Sequence, residues 1–160
     1  MLRTILCILI SSLVFSCSHQ PQDNQIPVEQ DDNYASINKQ GDKIVALAHS
    51  LLGSPYKYGG ATPNGFDCSG LVFYIHGKLG IRTARTSLQQ YKTSKALRIN
   101  EIAPGDLVFF KLNTHTVSHV GIFIGENRFI HAPKRGKAVS VNTLNDEFWK
   151  PKFVGAGRLY

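Results

Sequence analysis

The hydrophobic period of this chain changes once, and that change limits the fold more than any other feature. Between Asp42 and Ser94 the apolar residues recur at helical spacing; from Leu107 onward they alternate. Ile44, Val45, Leu47, Ala48, Leu51 and Leu52 outline a first helix, stopped by Gly53-Ser54-Pro55. Leu71, Val72, Ile75 and Leu79 form one stripe of a second, which Gly77 and Gly80 weaken and end. Ser87 to Ser94 reads as a third, shorter helix. After the turn Ala103-Pro104-Gly105-Asp106, strands are expected at 107–110, 119–124, 128–132, 137–141 and 153–159. Helices first and then antiparallel strands on short turns give an α+β class, N-terminal helices packed on a C-terminal antiparallel sheet. The stripe Leu71, Val72, Ile75 should cover one sheet face, and His76 falls away from it.

Extended backwards, the same stripe passes through Cys68, so this thiol lies in the first turn of its helix. Asp67 suits the N-cap, because its carboxylate can accept from the free amides of that turn. The positive end of the helix dipole then favours the thiolate. Two readings stay open from this stretch alone: a nucleophile, or a buried structural cysteine.

The other two cysteines bear on the choice. Cys7 lies within an apolar run, Ile5 to Val14, behind Arg3. The run is too short to span a bilayer and reads as the core of a secretory signal. Cys17 follows Val14-Phe15-Ser16, which looks like a bacterial lipobox with a bulky Phe15, and a polar tract opens at Ser18. The expected organisation is a signal peptide over 1–16, a lipidated Cys17 with a polar linker over 17–40, and a catalytic domain over 41–160. Ordinary signal cleavage without lipidation is the plainer alternative. A flexible linker of that length reaches roughly 25–30 Å from a membrane anchor. With Cys7 removed and Cys17 acylated, Cys68 has no partner for an internal disulfide, which favours a reactive role.

The formal net charge of +7 suits anionic partners, acidic lipid or an anionic wall polymer. No run of basic residues interleaved with aromatics occurs, so nucleic acid is not expected. The 42% hydrophobic and 18% charged content fits a globular domain.

A nucleophilic thiol needs a base, and the base needs something to hold it. Strand alternation selects among six histidines. His119 and Gly121 share a face, where the glycine leaves space for a helix or substrate. If Gly125, Glu126 and Asn127 all form the next turn, Ile124 pairs with Arg128 and Gly121 lies opposite His131. His119 and His131 are then diagonal neighbours about 7–8 Å apart at the backbone. A two-residue turn would put them on opposite faces. Hydrogen-bonded sheet histidines are the plain alternative, and a zinc site of Cys68, His119 and His131 is another. No close-spaced ligand pair and no flanking carboxylate supports the metal.

Six segments together resemble the NlpC-type family of bacterial cell-wall cysteine peptidases. They are PYKYGG (55–60), FDCSGL (66–71), RTSLQQ (85–90), PGDLVFF (104–110), SHVGIFIG (118–125) and FIHA (129–132). In plan the chain is similar to the single-domain lipoprotein endopeptidases of Gram-negative bacteria, anchored at the outer membrane and facing the periplasm. The resemblance implies a papain-like fold, a peptidoglycan substrate, and neither cofactor nor metal. By position it makes Cys68 the nucleophile, His119 the base and His131 the residue that orients it. Tyr56 would help hold the oxyanion, and Asp67 and Ser69 would line the cleft. The chemistry implied is hydrolysis of an amide in stem peptides or cross-links through a thioester acyl-enzyme. A silent wall-binding lipoprotein and an acyltransferase are the alternatives. Ala84 stands where the family often has proline.

Overall fold

In a computed structural model, residues 29–112 and 115–160 are described. The expected signal segment, Cys7 and Cys17 lie outside them. Helix α1 runs Glu29–Ser50, so residues 29–40 of the expected linker are helical. Two features explain the difference. No proline or glycine occurs from Val28 to Gln40, and Ile37 extends the inward stripe Gly41, Ile44, Ala48 one turn back. Ile37 is the one residue of that stretch in step with the stripe, too little periodicity to mark a helix.

Helix α2 (Cys68–Lys78) and α3 (Ser87–Thr93) follow expectation closely. A two-stranded hairpin, β1 (Ala61–Thr62) with β2 (Gly65–Phe66), precedes α2. The main sheet holds β3 (Lys95–Leu97), β4 (Leu107–Phe110), β5 (His119–Gly125), β6 (Arg128–His131), β7 (Ser140–Thr143) and β8 (Phe153–Arg158). Its order is β3-β8-β4-β5-β6-β7, antiparallel throughout. Strand β3 was not foreseen, and β7 begins three residues later than expected because Ala138 pairs instead with Pro55.

The sheet is covered on both faces. Ile44 and Ala48 of α1, with Leu71, Val72 and Ile75 of α2, pack on Leu107, Phe109, Val120, Ile122 and Ile130. Val108, Phe110, Phe123, Phe129, Trp149 and Ala156 form a second, largely aromatic cluster. This is why all four residues of β4 are buried. Asp106, wholly buried at the head of β4, accepts from the Ala103 amide and is gripped by Arg158 at 2.6 and 2.7 Å.

His76 does not face away. It is fully buried one turn after Val72, whose carbonyl accepts from its Nδ1 at 2.9 Å; Nε2 finds no partner. Burial pushes its pKa down to about 4.

Candidate active site

Three local devices bring the chemistry together: a capped helix, a clamped loop and a bulged hairpin. The cap is Asp67, extended at φ −91°, ψ 174°, with its Oδ1 accepting from the Gly70 amide at 2.7 Å. The clamp is Arg85, whose two guanidinium nitrogens meet the two Asp67 oxygens at 2.9 and 2.8 Å. Arg85 also donates to Ser69 Oγ and to the Gly60 carbonyl, and the Gly59 amide donates to Asp67 Oδ2. Burial by itself would raise the Asp67 pKa, yet the donors from Arg85, Gly70 and Gly59 hold it below the ordinary carboxylate range. Asp67 and Ser69 line a cleft beside Cys68. However, their oxygens are largely spent on joining loop, helix and arginine. The loop around Ala84 is fixed by Gln90, whose amide donates to the Ala84 and Ser69 carbonyls.

Gly70 is where the joint is tightest. A Cβ there would overlap the Gly60 carbonyl oxygen and crowd Asp67 Oδ1 and Arg85 Nη2. The Gly60 oxygen is a backbone atom and cannot swing away like the tip of a flexible side chain, and the two side-chain atoms are held by each other. Gly70→Ala is therefore expected to lose about 1–3 kcal/mol, despite alanine's better helix propensity. Chemical denaturation checks this, and an unchanged midpoint would count against the clamp.

Cys68 is partly open to a cleft of ≈ 400 Å³ whose walls include Tyr56, Tyr58, Ser69 and Arg85. The sulfur otherwise sits among protein atoms, and this burial pushes the thiol pKa up to about 11. The amides of Val120, Ser69 and Cys68 itself act in the opposite direction and are outweighed. The expected preference for thiolate is thus corrected: the helix end supplies amides, but desolvation is the larger effect. Tyr56 is raised by burial and then by the neighbouring Cys68, Asp67 and Tyr58, so its phenol keeps a proton to donate.

The bulged hairpin places the histidines. The turn between β5 and β6 has only two residues, Glu126 and Asn127, both left-handed (φ 51° and 56°), with Gly125 opposite Arg128. That turn alone would separate the rings. A bulge at Ile124 restores the register, so Ile122 lies opposite Ile130 as the three-residue reading required. His119 Nε2 and His131 Nδ1 are 2.7 Å apart, their rings perpendicular at 89°. The space at Gly121 is filled by the Phe129 ring, 2.5 Å from a built Cβ, and not by a helix or a substrate.

Both rings lie against the aromatic cluster, on the sheet side opposite the α2 stripe. Trp149 stacks on His119 at 5.3 Å and meets His131 edge-on at 4.8 Å. Burial pushes His119 down to about 3, helped by His131, and pushes His131 down to about 4. Cys68 approaches from the other side, its sulfur beside the Val120 amide, one residue along from His119. No hydrogen bond joins Cys68 to His119 among the described residues. With Nε2 given to His131, His119 Nδ1 is the nitrogen left for a thiol. Among the described residues no cluster of three metal-ligating side chains occurs.

The three buried rings have a consequence for stability. Each is held neutral in the fold but takes a proton near pH 6.5 once unfolded. Stability is therefore full above pH 6.5 and falls as pH drops towards 4, by at most about 1.4 kcal/mol per unit per ring. Melting scans at pH 7.5 and 5.0 read this, and His76→Leu should make the acid loss smaller. An equal loss in the variant would contradict it.

Sequence reasoning missed Arg85, Asn142 and Trp149. Arg85 sat within a recognised segment, but nothing linked it to Asp67, 18 residues away. Asn142, whose Oδ1 is 2.9 Å from His131 Nε2, fell just past the expected end of its strand. Trp149 belongs to no strand.

The NlpC/P60 family model matches residues 53–158. The probable peptidoglycan endopeptidase LytE of Bacillus subtilis is 44% identical over 116 residues, 72% of this chain and 34% of that protein. The murein DD-endopeptidase MepH of Escherichia coli is 40% identical over 134 residues, 81% of this chain and 49% of that one. An NlpC/P60 family protein of Bacillus cereus, known by crystallography, superposes with a TM-score of 0.71 at 31% identity, covering 74% of this chain and 40% of its own. The chain spans a third to a half of the length of these relatives. A match over this many residues, on a fold whose helix-borne cysteine and strand-borne histidines fall within the matched segment, settles the kinship: the chain belongs to the NlpC/P60 family.

Proposed function

We propose that residues 41–160 form a cysteine peptidase domain that hydrolyses amide bonds in peptidoglycan stem peptides or cross-links. The observation that carries this reading is the hydrogen-bonded chain His119–His131–Asn142, which starts on the strand residue next to Val120, whose amide meets the Cys68 sulfur. The related LytE and MepH are named as endopeptidases of this polymer. In the cycle, His119 Nδ1 takes the Cys68 proton as sulfur attacks the scissile carbonyl carbon. The oxyanion is held by the Cys68 amide and the Tyr56 phenol. The C–N bond breaks as His119 returns the proton to the leaving amine, leaving a thioester. Water then gives a proton to His119, adds to the thioester, and the C–S bond breaks to restore the thiol. Because burial keeps the resting proton on sulfur, its transfer to His119 accompanies the attack on the carbonyl and does not precede it.

That raised thiol pKa is the one observation favouring a second reading, a wall-binding domain without turnover. The assembled imidazole chain weighs against it, since binding alone needs none of it. Transfer of the acyl group to an amine would use the same cycle.

Purified peptidoglycan incubated with the full chain, with and without prior iodoacetamide treatment, tests the proposal by muropeptide mass spectrometry. New products are expected from the untreated protein only, their masses naming the bond. Binding with no products from either sample would support the second reading instead.

For placement in the cell, we propose a signal peptide over 1–16 and a lipid on Cys17, with Ser18 directing retention at the outer membrane, facing the periplasm. The support is the apolar run and the lipobox-like Val14-Phe15-Ser16-Cys17. Palmitate incorporation lost in Cys17→Ser would bear this out.

A further inference from the structure

We infer that Asn142 is a positioning residue that sets the tautomer of both buried imidazoles, so that His119 carries its lone pair on Nδ1. The catalytic part of this inference rests on the function proposed above; the tautomers do not. Asn142 presents Oδ1 to His131 Nε2 at 2.9 Å, and an amide oxygen only accepts. His131 Nε2 must therefore carry the proton. A neutral imidazole has one N–H, so His131 Nδ1 is bare. The 2.7 Å contact to His119 then needs a donor, and His119 Nε2 supplies it. His119 Nδ1 is left unprotonated, the form a base requires. A donor in place of the Asn142 oxygen would reverse every link and put a proton on His119 Nδ1.

Register and packing keep the order. Asn142 lies opposite Phe129, two residues from His131 on the same face. Trp149 lies flat on one ring and edge-on to the other, so neither ring can turn over without displacing a buried indole. An aspartate at 142 would accept equally well but add a charge.

Nitrogen-15 NMR of the histidine rings in the full chain at pH 7.5 tests this without turnover. Both His119 and His131 are expected as Nε2–H tautomers. Asn142→Leu should leave His131 a tautomer mixture and lower kcat roughly 10- to 100-fold with KM little changed. That is smaller than the ~10⁴ lost when the group touching the base itself is replaced. Asn142→Asp should keep the tautomers and move the acid limb of the kcat profile to higher pH, because a carboxylate stabilises imidazolium. A proton on His119 Nδ1 in the unmodified protein, or unchanged tautomers and kcat in Asn142→Leu, overturns the inference. Correct tautomers without peptidoglycan products would instead sink the proposed function and leave the assignment standing.

Discussion

Cys68→Ala is expected to end peptidoglycan hydrolysis, lowering turnover by roughly 10⁴-fold or more, while leaving the fold in place. No other thiol occurs among the described residues, and the proposed cycle has no second nucleophile. The fold tolerates the change because the sulfur packs at the cleft floor and neither caps α2 nor joins the Arg85 clamp. Asp67 does both of those. Loss of one sulfur from a partly open site costs stability on the order of 1 kcal/mol or less. Binding to insoluble peptidoglycan should persist. Cys68→Ser is expected to be almost as inactive, since burial holds His119 down to about 3 and makes it a reluctant acceptor for the more basic hydroxyl. Muropeptide release by Cys68→Ala at the wild-type rate would remove the sulfur from the mechanism.

The second large effect concerns stability. Arg158→Met should cost about 3–5 kcal/mol, because it strands a carboxylate that has no contact with water. Asp106 keeps the Ala103 amide and the Tyr160 hydroxyl as donors, but neutral hydrogen bonds alone do not balance a buried charge. For a domain of this size the loss corresponds to a fall in Tm of roughly 10–20 °C. The double variant Arg158→Met, Asp106→Asn removes charge and counter-charge together and should recover more than half of it. A single variant that melts within a few degrees of wild type would show that water reaches Asp106 on its own. The pair ties β8 to the head of β4, so its loss should also loosen the strand beside the histidine strand.

Much of this arrangement was legible from one chain because local rules agreed with the global fold. The α2 stripe, the Asp67 cap and the alternation around His119 each need only a few neighbouring residues. Errors arose where a fact depended on residues far apart. The thiol's direction of shift was read from the helix end, a local feature, whereas burial by β5 decides it. His76 is inward because it lies one turn after Val72 and beside Ile75, on the buried side of α2. The α1 extension hung on Ile37, the one residue of a mostly polar stretch in step with the stripe. Arg85, Asn142 and Trp149 escaped because each acts through a partner 11 or more residues away.

The extra residue at Ile124 has an implication for how this hairpin can vary. The loop tip and the strand body are out of step by one, and a kink between them absorbs the difference. Lengthening the tip by a single amino acid could therefore be accommodated by straightening that kink, with both imidazoles still meeting. The same insertion placed between His119 and Ile122 has no such slack to draw on and would turn His119 to the far side. Tolerance to insertion should thus differ sharply over a few positions of one strand, and the discontinuity, rather than the tip, marks the boundary.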